Sequence, residues 1–193
     1  MKKYLQIALM IFCISAVFTS CKDDDDDSDD VAVLAYKLEN EQAFAAKAND
    51  PDYIQVKITG NGDGFVYAKK LKEGNGQQVY YTSHVDVYYR GWLATKTREE
   101  YFDKREAEWD GEPFRCAVSP QFVTYNSNGT VKVGSVITGW TIALQNMKVG
   151  DKWEVWIPQQ LAYGTQDKGN DIPIYSTLVF EIEVMGVPAI VGK

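Results

Sequence analysis

The side chains that could do chemistry in this sequence are mainly aromatic rings and hydroxyls. His84 is the only histidine, so a Ser-His-Asp triad would depend on that one imidazole. One histidine and three cysteines leave little room for a Cys/His metal site, and the sequence carries no nucleophile elbow, HExxH motif or paired-carboxylate motif. The second half instead places Tyr, Trp and Phe beside Gly and Pro turns. Because aromatic residues are common in strands and cores, they alone indicate only a globular α+β domain.

Eight short motifs follow one another in this part of the chain, and their order is more specific than any one of them. They are Val87-Tyr88-Tyr89-Arg90-Gly91, Tyr101-Phe102-Asp103, Pro113-Phe114, Val136-Ile137-Thr138-Gly139-Trp140, Met147-Lys148-Val149-Gly150, Leu161-Ala162-Tyr163-Gly164, Ile172-Pro173 and Ser176-Thr177-Leu178-Val179-Phe180-Glu181. Over roughly residues 53–187, this order resembles the FKBP-type peptidyl-prolyl cis-trans isomerase family. The resemblance implies an FKBP-like α+β fold, with an antiparallel five- to six-stranded sheet wrapped around a short helix.

The family resemblance also implies an apolar pocket between sheet and helix that takes a proline ring. Trp140 would form its floor. The walls would come from Tyr89, Phe102, Phe114, Val136, Ile137, Ile172 and Phe180. Such a pocket requires no metal and no cofactor.

Four of these family positions would act on the substrate amide. The Tyr163 hydroxyl and the backbone N–H of Ile137 would each donate a hydrogen bond to a substrate carbonyl. Asp103 would accept a hydrogen bond from Tyr89 and face the rotating bond. The resemblance therefore implies Tyr89, Asp103, Tyr163 and Ile137 as the catalytic residues.

The activity implied is rotation about X–Pro bonds in exported proteins, with proline-containing polypeptides as clients. A dry aromatic pocket favours the less polar twisted amide over the planar one. One alternative is a binding or chaperone module with weak or no turnover, which would use the pocket or the long segment 118–135. A purely structural surface lipoprotein is a third option. The rim departs from the family pattern at Asp171 and Ile174, which leaves the turnover rate and the preferred residue before proline open.

Hydrophobic periodicity predicts the elements that position these residues. Residues 31–48 read as an amphipathic helix, with Leu34 and Leu38 among its apolar positions. A second, short helix is predicted near Trp140 and ends at Gly150. Strands are predicted at 53–58, 65–71, 79–92, 152–157 and 177–184, with turns at 60–64 and at Asn128-Gly129. His84 falls on the polar side of its strand and is expected at the surface.

The N-terminus has the features of a bacterial lipoprotein leader. Lys2 and Lys3 precede a 14-residue apolar stretch, Leu5 to Phe18, which is too short to span a bilayer and fits a signal peptide. The next residues, Thr19-Ser20-Cys21, complete a resemblance to a lipobox, which implies lipidation of Cys21. The alternative is ordinary secretion, with Cys21 a chance residue near the cleavage site. With Cys13 in the leader, Cys116 is then alone in the mature domain and is expected to be buried.

The acidic charge is concentrated in a short segment after Cys21. The whole chain has 27 acidic and 20 basic residues and a net charge of −7, which argues against a nucleic-acid partner. Residues 1–30 hold seven aspartates and three lysines, so the rest carries 20 acidic and 17 basic side chains. A run of like charges stays solvated, so residues 22–30 are interpreted as a spacer. The run also resembles an export signal of surface lipoproteins.

The predicted organisation follows from these segments. Residues 1–20 are a lipoprotein signal peptide, 21–30 an acidic tether, 31–50 an N-terminal helix and 51–193 the FKBP-like isomerase domain. The lipid anchor would attach the protein to the bacterial outer membrane, on its periplasmic face or at the cell surface. The N-terminal helix resembles an extension through which some bacterial family members dimerise, so a homodimer through this helix is one option.

Overall fold

A computed structural model describes residues 26–57 and 64–189 of the chain. Residues 33–57 and 64–189 of this part belong to one compact unit. The helices are α1 (Asp26–Ala46), α2 (Ala107–Asp110) and α3 (Thr138–Leu144). The strands are β1 (Ile54–Lys57), β2 (Phe65–Lys72), β3 (His84–Leu93), β4 (Tyr101–Arg105), β5 (Phe114–Ala117), β6 (Thr124–Tyr125), β7 (Val131–Val133), β8 (Lys152–Ile157) and β9 (Leu178–Gly186). The predicted signal peptide, Cys21 and most of the predicted 60–64 turn lie outside the described residues.

The main sheet has seven strands in six positions. The strand order is β1-β2-β8-β9-β3-β4, and β5 also pairs with β3. The two strands β4 and β5 share one edge of β3, because β5 pairs with residues 84–87 and β4 with residues 89–92. All the pairings in this sheet are antiparallel. Because β4 and β5 occupy one position beside β3, the sheet is six strands wide, which agrees with the predicted five to six strands.

Alternation along the strands creates the buried face of the sheet. In β3, Val85 and Val87 are fully buried, and in β8 the residues Trp153, Val155 and Ile157 alternate with half-buried neighbours. A period of two places such residues on one face of a strand. The burial of these residues supports the period-two interpretation of both strands.

Helix α3 packs directly on this buried face. Residues 139–144 are all buried, and Gly139 allows close contact with β8. A Cβ atom at Gly139 would lie only 2.3 Å from Cγ2 of Ile157. The helix therefore depends on glycine at this position, and the approach fixes the height of Trp140 over the sheet.

Helix α1 differs from its prediction in start and in orientation. It begins at Asp26 rather than at residue 31, and Asp29 and Asp30 in its first turns are favourable there because the helix dipole stabilises negative charge. The predicted apolar positions Leu34 and Leu38 are 64% and 53% exposed. Phe44, which the sequence also places among the apolar positions of this helix, packs against the sheet, with its ring 5.0 Å from that of Tyr67.

The segment 118–135 forms the predicted hairpin and changes the surroundings of His84. Strands β6 and β7 pair with each other, and Gly129 takes a positive φ in the turn. The base of the segment is closed by a bridge between Ala117 and Ser135. His84 is buried, and its Nε2 donates to the carbonyl of Phe122 at 2.7 Å. The expectation of a surface histidine is therefore wrong, because the inserted segment covers this part of β3.

None of the helices in the described part of the chain is long and apolar enough to cross a membrane.

Candidate active site

A cavity of about 360 Å³ opens between the sheet and α3. Its lining consists of Tyr89, Phe102, Asp103, Phe114, Ser135, Val136, Ile137, Trp140, Tyr163 and Phe180. Strands β3, β4, β5 and β9 contribute the rings on the sheet side, and α3 with the residues before it contributes the opposite side. Nine of the ten residues named by the family resemblance thus meet in one place.

The aromatic rings of the cavity pack edge to face around Trp140. The Trp140 ring lies 5.2 Å from that of Tyr89 and 5.1 Å from that of Phe180, with interplanar angles of 82° and 85°. Phe102 meets Phe180 at 5.6 Å in the same manner. Edge-to-face pairs are favoured by the ring quadrupoles and contribute about 0.5–1.5 kcal/mol each beyond burial. The cavity wall is therefore a mutually braced set of rings.

Gly91 on β3 makes room for this ring set. A Cβ atom there would lie 2.5 Å from Cε1 of Phe180 and 2.9 Å from Cζ of Phe102. Both distances are far below a normal carbon–carbon contact of about 3.5–4.0 Å. The position therefore requires glycine if both rings are to keep their places.

Tyr89 and Asp103 form the polar pair of the cavity. The Tyr89 hydroxyl donates to Oδ2 of Asp103 at 2.7 Å. Burial and the hydrogen bond to this carboxylate both raise the pKa of Tyr89 above its usual value, because each disfavours the phenolate. Tyr89 therefore remains a neutral donor, and the carboxylate of the exposed Asp103 is held at the cavity mouth.

Tyr163 lies on the loop after β8 and lines the same cavity. Burial, followed by the nearby charge of Asp103, raises the pKa of this tyrosine. Among the described residues, none accepts a hydrogen bond from its hydroxyl. The Tyr163 hydroxyl is thus a protonated group available to an incoming carbonyl.

Ile137 stands directly before α3 in an extended conformation, and its carbonyl accepts the first hydrogen bonds of the helix, from Trp140 and Thr141. Its side chain lines the cavity together with that of Val136. The helix start therefore fixes the backbone at the position for which the family resemblance implies a substrate-binding N–H.

Two residues differ between prediction and structure. Ile172 is half-buried and packs against the core, but it is not among the cavity-lining residues. Ser135 lines the cavity and was not predicted, because a serine at the end of a polar hairpin carries no local signal. It reaches the site because the bridge to Ala117 returns the chain there.

The family described as FKBP-type peptidyl-prolyl cis-trans isomerase matches residues 75–185. The chain belongs to this family. Membership confirms the predicted resemblance, the FKBP-like α+β fold and the enzyme class, the peptidyl-prolyl cis-trans isomerases.

Individual members of the FKBP-type isomerase family show how far the similarity extends. The FKBP-type 22 kDa peptidyl-prolyl cis-trans isomerase of Escherichia coli is 38% identical over 134 residues, which cover 69% of this chain and 50% of that protein. FK506-binding protein 1A of Neurospora crassa is 34% identical over 140 residues, 72% of this chain and 92% of the relative. The chain therefore spans only half of the former but nearly all of the latter.

Solved structures agree with this assignment. The crystal structure of a peptidyl-prolyl cis-trans isomerase from Pseudomonas syringae pv. tomato has a TM-score of 0.61 at 26% identity, covering 89% of this chain and 100% of that one. The crystal structure of FkpA from Escherichia coli has a TM-score of 0.57 at 27% identity, and the match covers 84% of this chain and 65% of that one.

Proposed function

We propose that the chain accelerates rotation about X–Pro bonds in exported polypeptides by removing the amide from water and holding it twisted. The barrier to this rotation is about 18–20 kcal/mol, because amide resonance must be broken. Resonance places charge on the carbonyl oxygen and nitrogen, and water stabilises that charge. An aromatic cavity offers less of this stabilisation, so it disfavours the planar amide relative to the twisted one.

The residues of the cavity supply the parts that this mechanism needs. The rings around Trp140 would hold the proline, and the neutral hydroxyl of Tyr163 would anchor a carbonyl. Asp103 at the mouth would face the amide as it rotates. Lowering the barrier by about 5–8 kcal/mol gives roughly 10⁴–10⁶-fold acceleration without a covalent intermediate.

The observation that carries the proposal is the convergence of Tyr89, Trp140, Tyr163 and Phe180 on one cavity. A protease-coupled assay with an X–Pro tetrapeptide tests it. Tyr163→Phe combined with Trp140→Ala should remove most of kcat/KM. Trp109→Ala is the matched control, since Trp109 is exposed and lies outside the cavity lining. Wild-type protein without turnover at micromolar concentration would sink the proposal.

A binding or chaperone module is the second candidate, and the inserted hairpin favours it. Tyr125 and Val131 pair across β6 and β7 and are both more than half exposed. Exposed apolar side chains on an insertion beside the cavity would bind apolar segments of an unfolded polypeptide. Retained peptide binding together with unchanged basal isomerisation would favour this candidate over catalysis.

We also propose that the protein is held at the outer membrane by a lipid on Cys21, on the periplasmic face or at the cell surface. The support is the sequence before residue 31, where the apolar stretch, Cys21 and the acidic run follow one another. Metabolic labelling with a fatty acid tests the anchor, and Cys21→Ser should release the protein from the membrane fraction. Protease treatment of intact cells then separates the surface from the periplasmic face.

We propose a homodimer through α1, because one face of this helix is exposed. At 3.6 residues per turn, Leu34 and Leu38 lie opposite the Tyr36, Asn40 and Phe44 face, and both leucines are exposed. A second copy of this helix would cover them. Sedimentation of the protein and of a Leu34→Glu/Leu38→Glu variant tests this, and an unchanged mass would contradict it.

A further inference from the structure

The inner face of α1 contacts the segment 173–177, which precedes β9. Ser176 Oγ donates to the carbonyl of Pro173 at 2.6 Å, so the hydrogen bond of 2.8 Å between Ser176 and Tyr36 is donated by the Tyr36 hydroxyl. Lys37 on the same helix lies 5.4 Å from the ring centre of Tyr175. Helix α1 therefore contacts the side chains of two consecutive residues of this segment, Tyr175 and Ser176.

Asn40 makes the most buried of these contacts. It is 0% exposed, and its Oδ1 accepts from the backbone N–H of Thr177 at 2.8 Å. Its backbone carbonyl accepts from the Thr177 hydroxyl at 3.1 Å, and its Nδ2 donates to the carbonyl of Tyr36 at 2.9 Å. Asparagine is a weak helix former, and a buried amide is expensive unless it is hydrogen-bonded. Contact with Thr177 explains an asparagine in the middle of this helix.

The segment held by α1 contains a residue in an unfavourable backbone conformation. Among the described residues, Tyr175 is the one non-glycine residue with a positive φ, at 65°. For a bulky L-residue this conformation costs roughly 1–2 kcal/mol, and such residues persist only where their surroundings impose them. The flanking residues Ser176 and Thr177 are the ones that Tyr36 and Asn40 hold.

Tyr175 in turn links the segment to the cavity. Its backbone N–H donates to the carbonyl of Gly164 at 2.8 Å. Gly164 directly follows Tyr163, which lines the cavity. A continuous set of contacts therefore runs from α1 through Tyr175 to the base of the loop that carries Tyr163.

We infer that Tyr36 and Asn40 are positioning residues for the cavity. They hold Tyr175 in its left-handed conformation, and the Tyr175–Gly164 hydrogen bond then places Tyr163 for the substrate. The N-terminal helix is thus part of the working site, although it contributes no residue to the cavity lining. This inference rests on the proposed function, since it concerns how the same site is held in place.

Amide hydrogen exchange tests the positioning step without reference to activity. In the full chain, Asn40→Ala and Tyr36→Phe should each raise the exchange rate of the Tyr175 amide at least tenfold. The Val155 amide, in the middle of the sheet, should keep its wild-type rate in both variants. Gln42→Ala removes an exposed amide side chain from the same helix and is the matched control. Wild-type protection of Tyr175 in both variants would overturn the inference.

Isomerase kinetics test the consequence for the site. A loop that is correctly placed only part of the time weakens apparent binding in proportion, while saturating substrate selects the competent conformer. We therefore expect KM for an X–Pro tetrapeptide to rise about fivefold in Asn40→Ala with kcat unchanged. An unchanged KM, or a fall in kcat alone, would contradict the positioning role. If wild-type protein shows no turnover, the exchange result still decides the inference, and only the proposed function fails.

Rescue by glycine provides the sharpest check. Glycine adopts positive φ without the penalty of a side chain. In the Asn40→Ala background, Tyr175→Gly should therefore reverse at least half of the rise in KM. Failure of Tyr175→Gly to lower the raised KM would show that the strained residue does not transmit the effect.

Discussion

Substitution of Gly91 by alanine is the perturbation whose effect follows most directly from the structure. The added methyl would overlap Phe180 and Phe102, from which it would lie 2.5 and 2.9 Å away. Relief requires the Phe180 ring to move by about 1 Å and the Phe102 ring by somewhat less, since ordinary carbon contacts lie near 3.5–4.0 Å. Overpacking of this kind costs about 1–3 kcal/mol of folding free energy. For a chain of this length, that lowers Tm by roughly 2–12 °C.

The larger effect of Gly91→Ala should be on activity. Both displaced rings line the cavity, and a 1 Å misplacement at a site can cost about 100-fold. We expect kcat/KM in the protease-coupled assay to fall by roughly 10–100-fold at a temperature where the variant is fully folded. Urea denaturation on the same samples gives the change in folding free energy.

Gly186→Ala is the matched control for this experiment. Gly186 lies on β9 of the same sheet, and a Cβ atom there would have no neighbour within 4 Å. Its effect on stability should stay within about 0.5 kcal/mol, with activity unchanged. In the double variant Gly91→Ala/Phe180→Leu, the smaller side chain at position 180 should recover part of the lost stability, because substitutions of contacting residues do not have additive effects on folding free energy. Gly91→Ala protein with wild-type kcat/KM would refute the assignment of these rings to the site.

Four further outcomes are expected. Trp140→Leu should cost about 2–4 kcal/mol in urea denaturation and lower kcat/KM about 100-fold; wild-type turnover would contradict its place at the cavity floor. Because burial and the charge of Asp103 raise the pKa of Tyr163, kcat/KM should be constant from about pH 6 to 9. The raised pKa values of Tyr163 and Tyr89 also mean that their contribution to stability is fully present below about pH 10 and is lost as pH rises through the folded-state pKa; melts that stay flat to pH 12 would argue against this. Burial raises the pKa of Cys116 to about 12, so site-resolved mass spectrometry should find this thiol unmodified by alkylating reagent at pH 8 until the protein unfolds.

The sheet and its buried face could be predicted because their pattern is local. Val85 and Val87 alternate with polar neighbours in the sequence and are fully buried in the structure. The same rule failed for His84, which obeys the polar alternation but is covered by the segment around Phe122. Burial by a distant insertion leaves no trace in the strand itself.

The orientation of α1 could not be predicted for a related reason. Leu34 and Leu38 are the more hydrophobic choice for an inner face, yet the helix packs through Tyr36, Asn40 and Phe44. Hydrogen bonds to Ser176 and Thr177 decide the orientation, and those residues lie more than 130 positions away.

The family motifs predicted that the site residues meet in one cavity, whereas hydrophobic periodicity alone did not. Alternation places Tyr89 and Phe180 on apolar faces, but only the fold brings them to Trp140. Ile172 illustrates the limit of such transfer, since it is present in the sequence motif and half-buried against the core, outside the cavity lining.

The closed base of the 118–135 hairpin makes it a natural place for new sequence to be grafted. Ala117 and Ser135 are bridged, and the Ala117 N–H donates to the carbonyl of Gly134 at 2.8 Å, so the chain leaves and rejoins the sheet at one point. Doubling a flexible loop whose ends are already joined costs only about 0.6 kcal/mol of closure entropy. Evolution or a protein engineer could therefore lengthen the tip between β6 and β7, while Phe122 keeps its contact with His84 and Val118 keeps its hydrogen bond from Thr141 of α3.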